Sequence, residues 1–123
     1  MKSIFNKLAA LMFFVTFLTG CVYETITPAV VEVPDEVSFT LDVQPIFNES
    51  CNTSGCHNSG GTPPDLSEGS AYTSLTFYGY LDKDSAELSQ VYEKINTGSM
   101  KKYANDQDRA IILAWIKQGA LEN

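Results

Sequence analysis

Residues 52–70 are rich in Asn, Ser, Gly and Pro and carry no apolar period, so they read as loop. They interrupt residues 39–123, the part of the chain with helical patterning. A segment of that size with so much loop builds a small apolar core. Small cores are usually supplemented by a disulfide, a metal or a cofactor. Such a staple is sought in the loop and its edges, where Cys51, Cys56 and His57 lie.

The flanking segments read as helices. Across residues 41–50, Val43, Ile46, Phe47 and Ser50 fall at i, i+3, i+4, i+7, and Pro45 confines the regular part to a start near Asp42 or Val43. Residues 71–75 suit a short helical turn. Asp84 with Glu87 three positions on predicts a capped helix start, followed by Leu88, Val91, Tyr92 and Ile95 on one face and a stop at Thr97-Gly98. A last helix starts at Asn105, carries Asp106 and Asp108 at its positive end, buries Ile111, Ile112, Trp115 and Ile116, and stops at Gly119. No stretch alternates with a period of two. The fold class predicted is small and all-α, with long loops.

The first 20 residues stand apart. Lys2 and Lys7 precede an apolar run at 8–18, interrupted by Thr16 alone, which is too short for the roughly 20 residues of a spanning helix and suits a signal peptide. Leu18-Thr19-Gly20-Cys21 then resembles the lipobox of bacterial lipoproteins, which implies cleavage before Cys21 and lipidation of that cysteine. Residues 1–20 are thus expected to be a lipoprotein signal, 21–38 a lipidated cysteine and tether, and 39–123 the folded domain. The tether holds Pro28 and Pro34 with four acids; alternatively Val30, Val31 and Val33 lie on the domain as a short strand. Losing two lysines and no acid moves the formal charge from −7 to −9, which opposes nucleic-acid binding. The expected location is the cell envelope, lipid-anchored, with the domain in the periplasm or on the cell surface. Thiols there are commonly oxidised or bonded.

Cys51-Asn52-Thr53-Ser54-Gly55-Cys56-His57 is the stretch that carries chemistry. A Cys followed directly by His, with a second Cys upstream, is how a c-type haem is attached. Two thiols form thioethers to the macrocycle, and the adjacent imidazole becomes the proximal iron ligand. The spacing here, C-x4-C-H, is two residues wider than the usual form. A structural zinc site would need four ligands, and with Cys21 lipidated the chain offers Cys51, Cys56 and His57 and no further Cys or His. A Cys51–Cys56 disulfide in a haem-free structural lipoprotein is the rival reading.

The stretch 38–123 resembles a monohaem, class I-like cytochrome c domain of the bacterial envelope. Ser38-Phe39-Thr40-Leu41-Asp42-Val43-Gln44-Pro45-Ile46-Phe47 is similar to the helix leading into the haem motif, and Ala114-Trp115-Ile116-Lys117-Gln118-Gly119-Ala120 to the closing helix. The resemblance implies crossed terminal helices in aromatic contact, with Phe47 and Trp115 at the matching positions, and loops wrapped around one covalent haem c. It implies thioethers at Cys51 and Cys56, His57 as proximal iron ligand and Met100 as distal ligand. Pro63, Pro64 and Leu66 match the loop whose proline carbonyl accepts the histidine's free N–H, with either proline in that role. Met100 is also the sole Met after residue 20, and it is followed by Lys101 and Lys102, which compete as sixth ligand, rather than by the common Pro.

The function expected is membrane-tethered electron transfer with redox protein partners in the envelope, the lipid on Cys21 as membrane contact, and no nucleic acid. A haem-based sensor or ligand-binding module is the alternative should Met100 not bind the iron. Nothing points to an enzyme, since Asp82 and Asp84 read as loop and N-cap rather than an acid–base pair.

Overall fold

The computed structural model describes residues 30–123, so the signal, Cys21 and the first part of the tether lie outside the described residues. Helix α1 (39–51) begins where Ser38 caps it. Ser38 Oγ accepts the Leu41 N–H at 3.2 Å, and Asp42 Oδ2 accepts the Ser38 N–H at 2.7 Å. Pro45 has no N–H to give the Leu41 carbonyl, and its ring crowds that group. The helix is wide on both sides of it: π-type turns Phe39–Val43 and Phe47–Cys51 flank the α-helical Gln44–Ile46. Both ends therefore reach further than the periodicity implies, and Phe39, Val43, Ile46 and Phe47 all become buried.

After the loop, α2 (Ala71–Phe77) buries Ala71 and Leu75. The helix expected from Asp84 is broken in two. A 3₁₀ turn, Ala86–Leu88, is separated from α3 (Gln90–Asn96) by Ser89, whose backbone is extended. The cause is a side chain competing with helical bonding. Ser89 is fully buried, and its hydroxyl accepts the Asp82 N–H at 2.7 Å and donates to the Asp82 carbonyl at 3.0 Å. Asp84 is not an N-cap: its own N–H and that of Ser85 are held by Asp82 Oδ1. Leu88 leaves the apolar face and is exposed.

The last helix, α4 (Asp106–Lys117), starts as expected, with Asn105 and Asp108 exchanging side-chain-to-backbone bonds at 2.9 Å each. It ends at Gly119, whose φ of +98° is a conformation that favours glycine. The described residues are all-α, with no strand, and no helix among them is long and apolar enough to cross a membrane.

The first and last helices meet through an aromatic cluster, but Phe39 rather than Phe47 faces Trp115. Phe39 lies 5.1 Å from Trp115 and 5.4 Å from Tyr72, ring centre to ring centre. Phe47 stands 6.4 Å behind Phe39. The earlier helix start and the wide turns bring Phe39 to the crossing. Trp115 is fully buried, and its indole N–H donates to the Leu121 carbonyl at 2.9 Å. Asn123 returns to the start of α1, where its carbonyl accepts the Thr40 N–H at 2.9 Å and its Oδ1 the Phe39 N–H at 2.9 Å.

The expected tether engages α4 before residue 39. Gln118 Oε1 accepts the Val37 N–H at 2.8 Å, Gln107 Oε1 accepts the Glu32 N–H at 3.0 Å, and Val37 is buried. Val30, Val31 and Val33 form no strand and remain exposed.

Truncating Trp115 to Ala is expected to cost about 3–5 kcal/mol, the range for deleting a buried large aromatic side chain. Urea unfolding checks this. An unchanged midpoint would mean that the aromatic crossing does not hold the terminal helices together.

Candidate functional site

The end of α1 delivers Cys51 to the rim of a cavity of about 410 Å³. That volume lies within the range of about 300–1,000 Å³ typical of small-molecule and cofactor sites. Cys51, Cys56, His57, Pro63, Pro64, Leu66 and Met100 all line it, so every expected site residue of the folded domain faces one space. Apolar side chains from α1, α2 and α3, among them Phe47, Leu75, Val91 and Ile95, supply the rest of the wall together with Tyr80 and Tyr103.

The loop between the cysteines is closed by its own backbone. The His57 N–H donates to the Cys51 carbonyl at 3.1 Å, and the Cys56 N–H to that of Thr53 at 2.9 Å. Two further bonds tie the motif to the proline-bearing segment after it: Thr62 N–H to the Cys56 carbonyl at 2.7 Å, and Leu66 N–H to the His57 carbonyl at 2.7 Å. The wide spacing between the cysteines thus bulges without separating them from the cavity. Both cysteines are free thiols, half-buried, rather than a disulfide. Burial pushes the Cys51 thiol up from 9.0 to about 11, with smaller contributions from Asp108 and Cys56.

His57 is oriented by two carbonyls. Its Nδ1 lies 2.9 Å from the Thr62 oxygen and 3.1 Å from the Pro64 oxygen. A carbonyl only accepts, so Nδ1 is the donor to this pair, and Nε2 is the ring nitrogen they leave unengaged. Of the two prolines, Pro64 makes the contact, and Thr62 shares it.

Behind this loop sits a residue that sequence reasoning missed. Gln44 is buried on α1, and its Nε2 donates to the Leu66 carbonyl at 3.1 Å and to Asn48 Oδ1 at 2.8 Å. Its helical neighbours Thr40, Leu41, Phe47 and Asn48 mix polar and apolar side chains, so the pattern gives no signal of its burial.

Across the cavity, Met100 is half-buried and follows the end of α3. Its N–H donates to the Lys94 carbonyl at 3.0 Å, and its carbonyl accepts the Tyr103 N–H at 3.0 Å. Lys101 and Lys102 are exposed and do not line the cavity; the Lys102 ammonium lies 4.7 Å from the centre of the Tyr103 ring. The lysine that does line it is Lys94, whose position in a helical pattern resembles that of any solvent-facing residue. Among the described residues, no three His, Cys, Asp or Glu side chains converge to hold a metal ion by themselves.

Comparison of the chain with known families, with curated proteins and with solved structures gives no match.

Gly61 tests the loop. A Cβ there would fall on the Cys56 carbonyl oxygen and 2.6 Å from Asn58 Oδ1. The first of these atoms holds the Thr62 N–H, and Thr62 in turn holds His57. Gly61→Ala is therefore expected to cost about 1–3 kcal/mol, as forced backbone distortion does, and to shift the His57 ring resonances. Unchanged stability and unchanged His57 shifts would mean that the loop does not set the ring.

Proposed function

We propose that the chain is an electron carrier with a class I-like cytochrome c fold, holding one covalent haem c in the cavity between the Cys51–Leu66 loop and α3. The observation that carries this reading is the orientation of the His57 ring. Two carbonyls engage Nδ1, which leaves Nε2 as the ring nitrogen available to ligate iron. Both thiols and Met100 line the same cavity as that ring.

When bound, the haem supplies a one-electron couple at its iron. The chain supplies the rest. Cys51 and Cys56 would hold the macrocycle through thioethers. His57 would take the proximal position, kept in place by Thr62 and Pro64, and Met100 the distal one. Leu66, Phe47, Leu75 and Ile95 would keep water from the ring. With both axial positions filled by side chains, no site is open to a substrate, which fits a carrier better than an enzyme. Lipidation at Cys21 would place the carrier on a membrane of the cell envelope, where redox proteins are its partners.

Absorption spectroscopy of the isolated protein tests the reading. A low-spin c-type spectrum that carbon monoxide leaves unaltered is the expected result. The absence of a Soret band would overturn it, and carbon monoxide binding by the wild type would point to a sensor. His57→Ala and Cys56→Ala should each abolish the stable holoprotein, with Cys51→Ala milder. Met100→Ala should keep the covalent haem, open the sixth position to carbon monoxide and lower the reduction potential, since thioether ligation favours ferrous iron. An unchanged potential in Met100→Ala would remove Met100 from the site.

A further inference from the structure

The chain turns sharply after α3, and the turn is built on atoms that also hold Met100. The Glu93 carbonyl accepts both the Thr97 N–H at 3.0 Å and the Gly98 N–H at 2.9 Å. The next carbonyl, that of Lys94, accepts the Met100 N–H at 3.0 Å. The Gly98 carbonyl then accepts the Lys101 N–H at 3.2 Å, so Met100 is bonded on both sides of a tight reversal.

Gly98 is pressed against this same backbone. A Cβ at Gly98 would lie 2.9 Å from the Lys94 Cα and 3.1 Å from the carbonyl oxygens of both Glu93 and Lys94. These are main-chain atoms of a helix end, which cannot swing aside as a side-chain tip can. The contrast with other glycines is clear: Gly55, Gly60, Gly69, Gly79 and Gly119 have no atom within 4 Å of a built Cβ. At Gly98 the missing side chain allows a close approach, and the two carbonyls it approaches are the acceptors that fix the turn.

We infer that Gly98 is a positioning residue for Met100, letting the chain fold back tightly enough for the Lys94 carbonyl to capture the Met100 N–H and aim this residue into the cavity. This rests on the reading of Met100 as distal iron ligand. A methyl group at 98 pushes the Lys94 carbonyl away from the turn and releases Met100 from its place, without touching Cys51, Cys56 or His57.

The experiment uses the haem-loaded protein, with carbon monoxide as probe and amide hydrogen exchange as a second readout. The wild type should ignore carbon monoxide. Gly98→Ala should bind it, and exchange at the Met100 N–H should accelerate by at least about tenfold. Gly69→Ala serves as the control, because its strain at φ +80° lowers stability away from Met100 and should alter neither readout. In a Met100→Ala background, adding Gly98→Ala should change carbon monoxide affinity by less than about twofold, since a residue acting only through Met100 has nothing left to act on. Should Gly98→Ala fail to fold, wild-type exchange decides. A Met100 N–H exchanging as fast as an unstructured amide overturns the inference, and one slowed at least about tenfold supports it. Carbon monoxide binding by the wild type sinks the distal-ligand reading itself. A wild type and a Gly98→Ala variant equally indifferent to carbon monoxide, with equal Met100 exchange, sink the role of Gly98 alone.

Discussion

The contact between Phe39 and Trp115 at 5.1 Å is what makes one body of the described segments. Phe39 lies in the first turn of α1 and Trp115 near the end of α4, so the contact joins the first helix to the last. Tyr72 joins them from α2, and its hydroxyl donates to the Ala120 carbonyl at 3.1 Å. The three rings bring three helices to one point. The polar atoms around them are also spoken for, with the indole N–H on Leu121 and Asn123 capping the start of α1. A buried aromatic without those partners would give back part of its packing energy as unpaired polar groups.

The helices and the loop enclose a cavity of about 410 Å³ whose lining is mainly apolar. On the proposed reading, a haem bound only by the folded state would stabilise it by mass action, and covalent attachment would keep it there. Side chains of α1, α2 and α3 form part of the cup, and the loop that carries Cys56 and His57 forms another wall. That loop is held by backbone bonds to the Cys51, Cys56 and His57 carbonyls and by Leu66, which is buried in the core.

Where a local signal exists, the sequence is readable. Asn105 and Asp108 form the expected capping box, and the α4 stripe buries Ile112, Trp115 and Ile116. The Cys-Cys-His constellation is marked by its spacing, the prolines, Leu66 and Met100 by the resemblance to a cytochrome c domain, and all of them line one cavity. Features that depend on tertiary partners are not readable in this way. Asp84 has the composition of an N-cap, but Asp82 and the buried Ser89 hydroxyl supply better bonds to that backbone, and the helix breaks there. The resemblance puts Phe47 opposite Trp115, yet the wide turns around Pro45 give that place to Phe39. Gln44 and Lys94 sit in ordinary helical patterns, and only contacts across the chain distinguish them from solvent-facing residues.

The wall that carries Met100 shows how such contacts substitute for intrinsic helix strength. Helix α3 spans only Gln90–Asn96, about two turns, and a helix that short has little stability of its own in water. Its beginning is fixed from outside: Ser89 is tied to the Asp82 backbone, and the Val91 N–H donates to the Tyr80 carbonyl at 3.1 Å. Its last turn is held by Ile95, buried in the core. Its end is fixed by the return of residues 97–100 onto the Glu93 and Lys94 carbonyls. Met100 is therefore not carried by a free loop. It is the last link of a short helix pinned at both ends, and a polar residue at one end, Ser89, constrains it as surely as the glycine at the other.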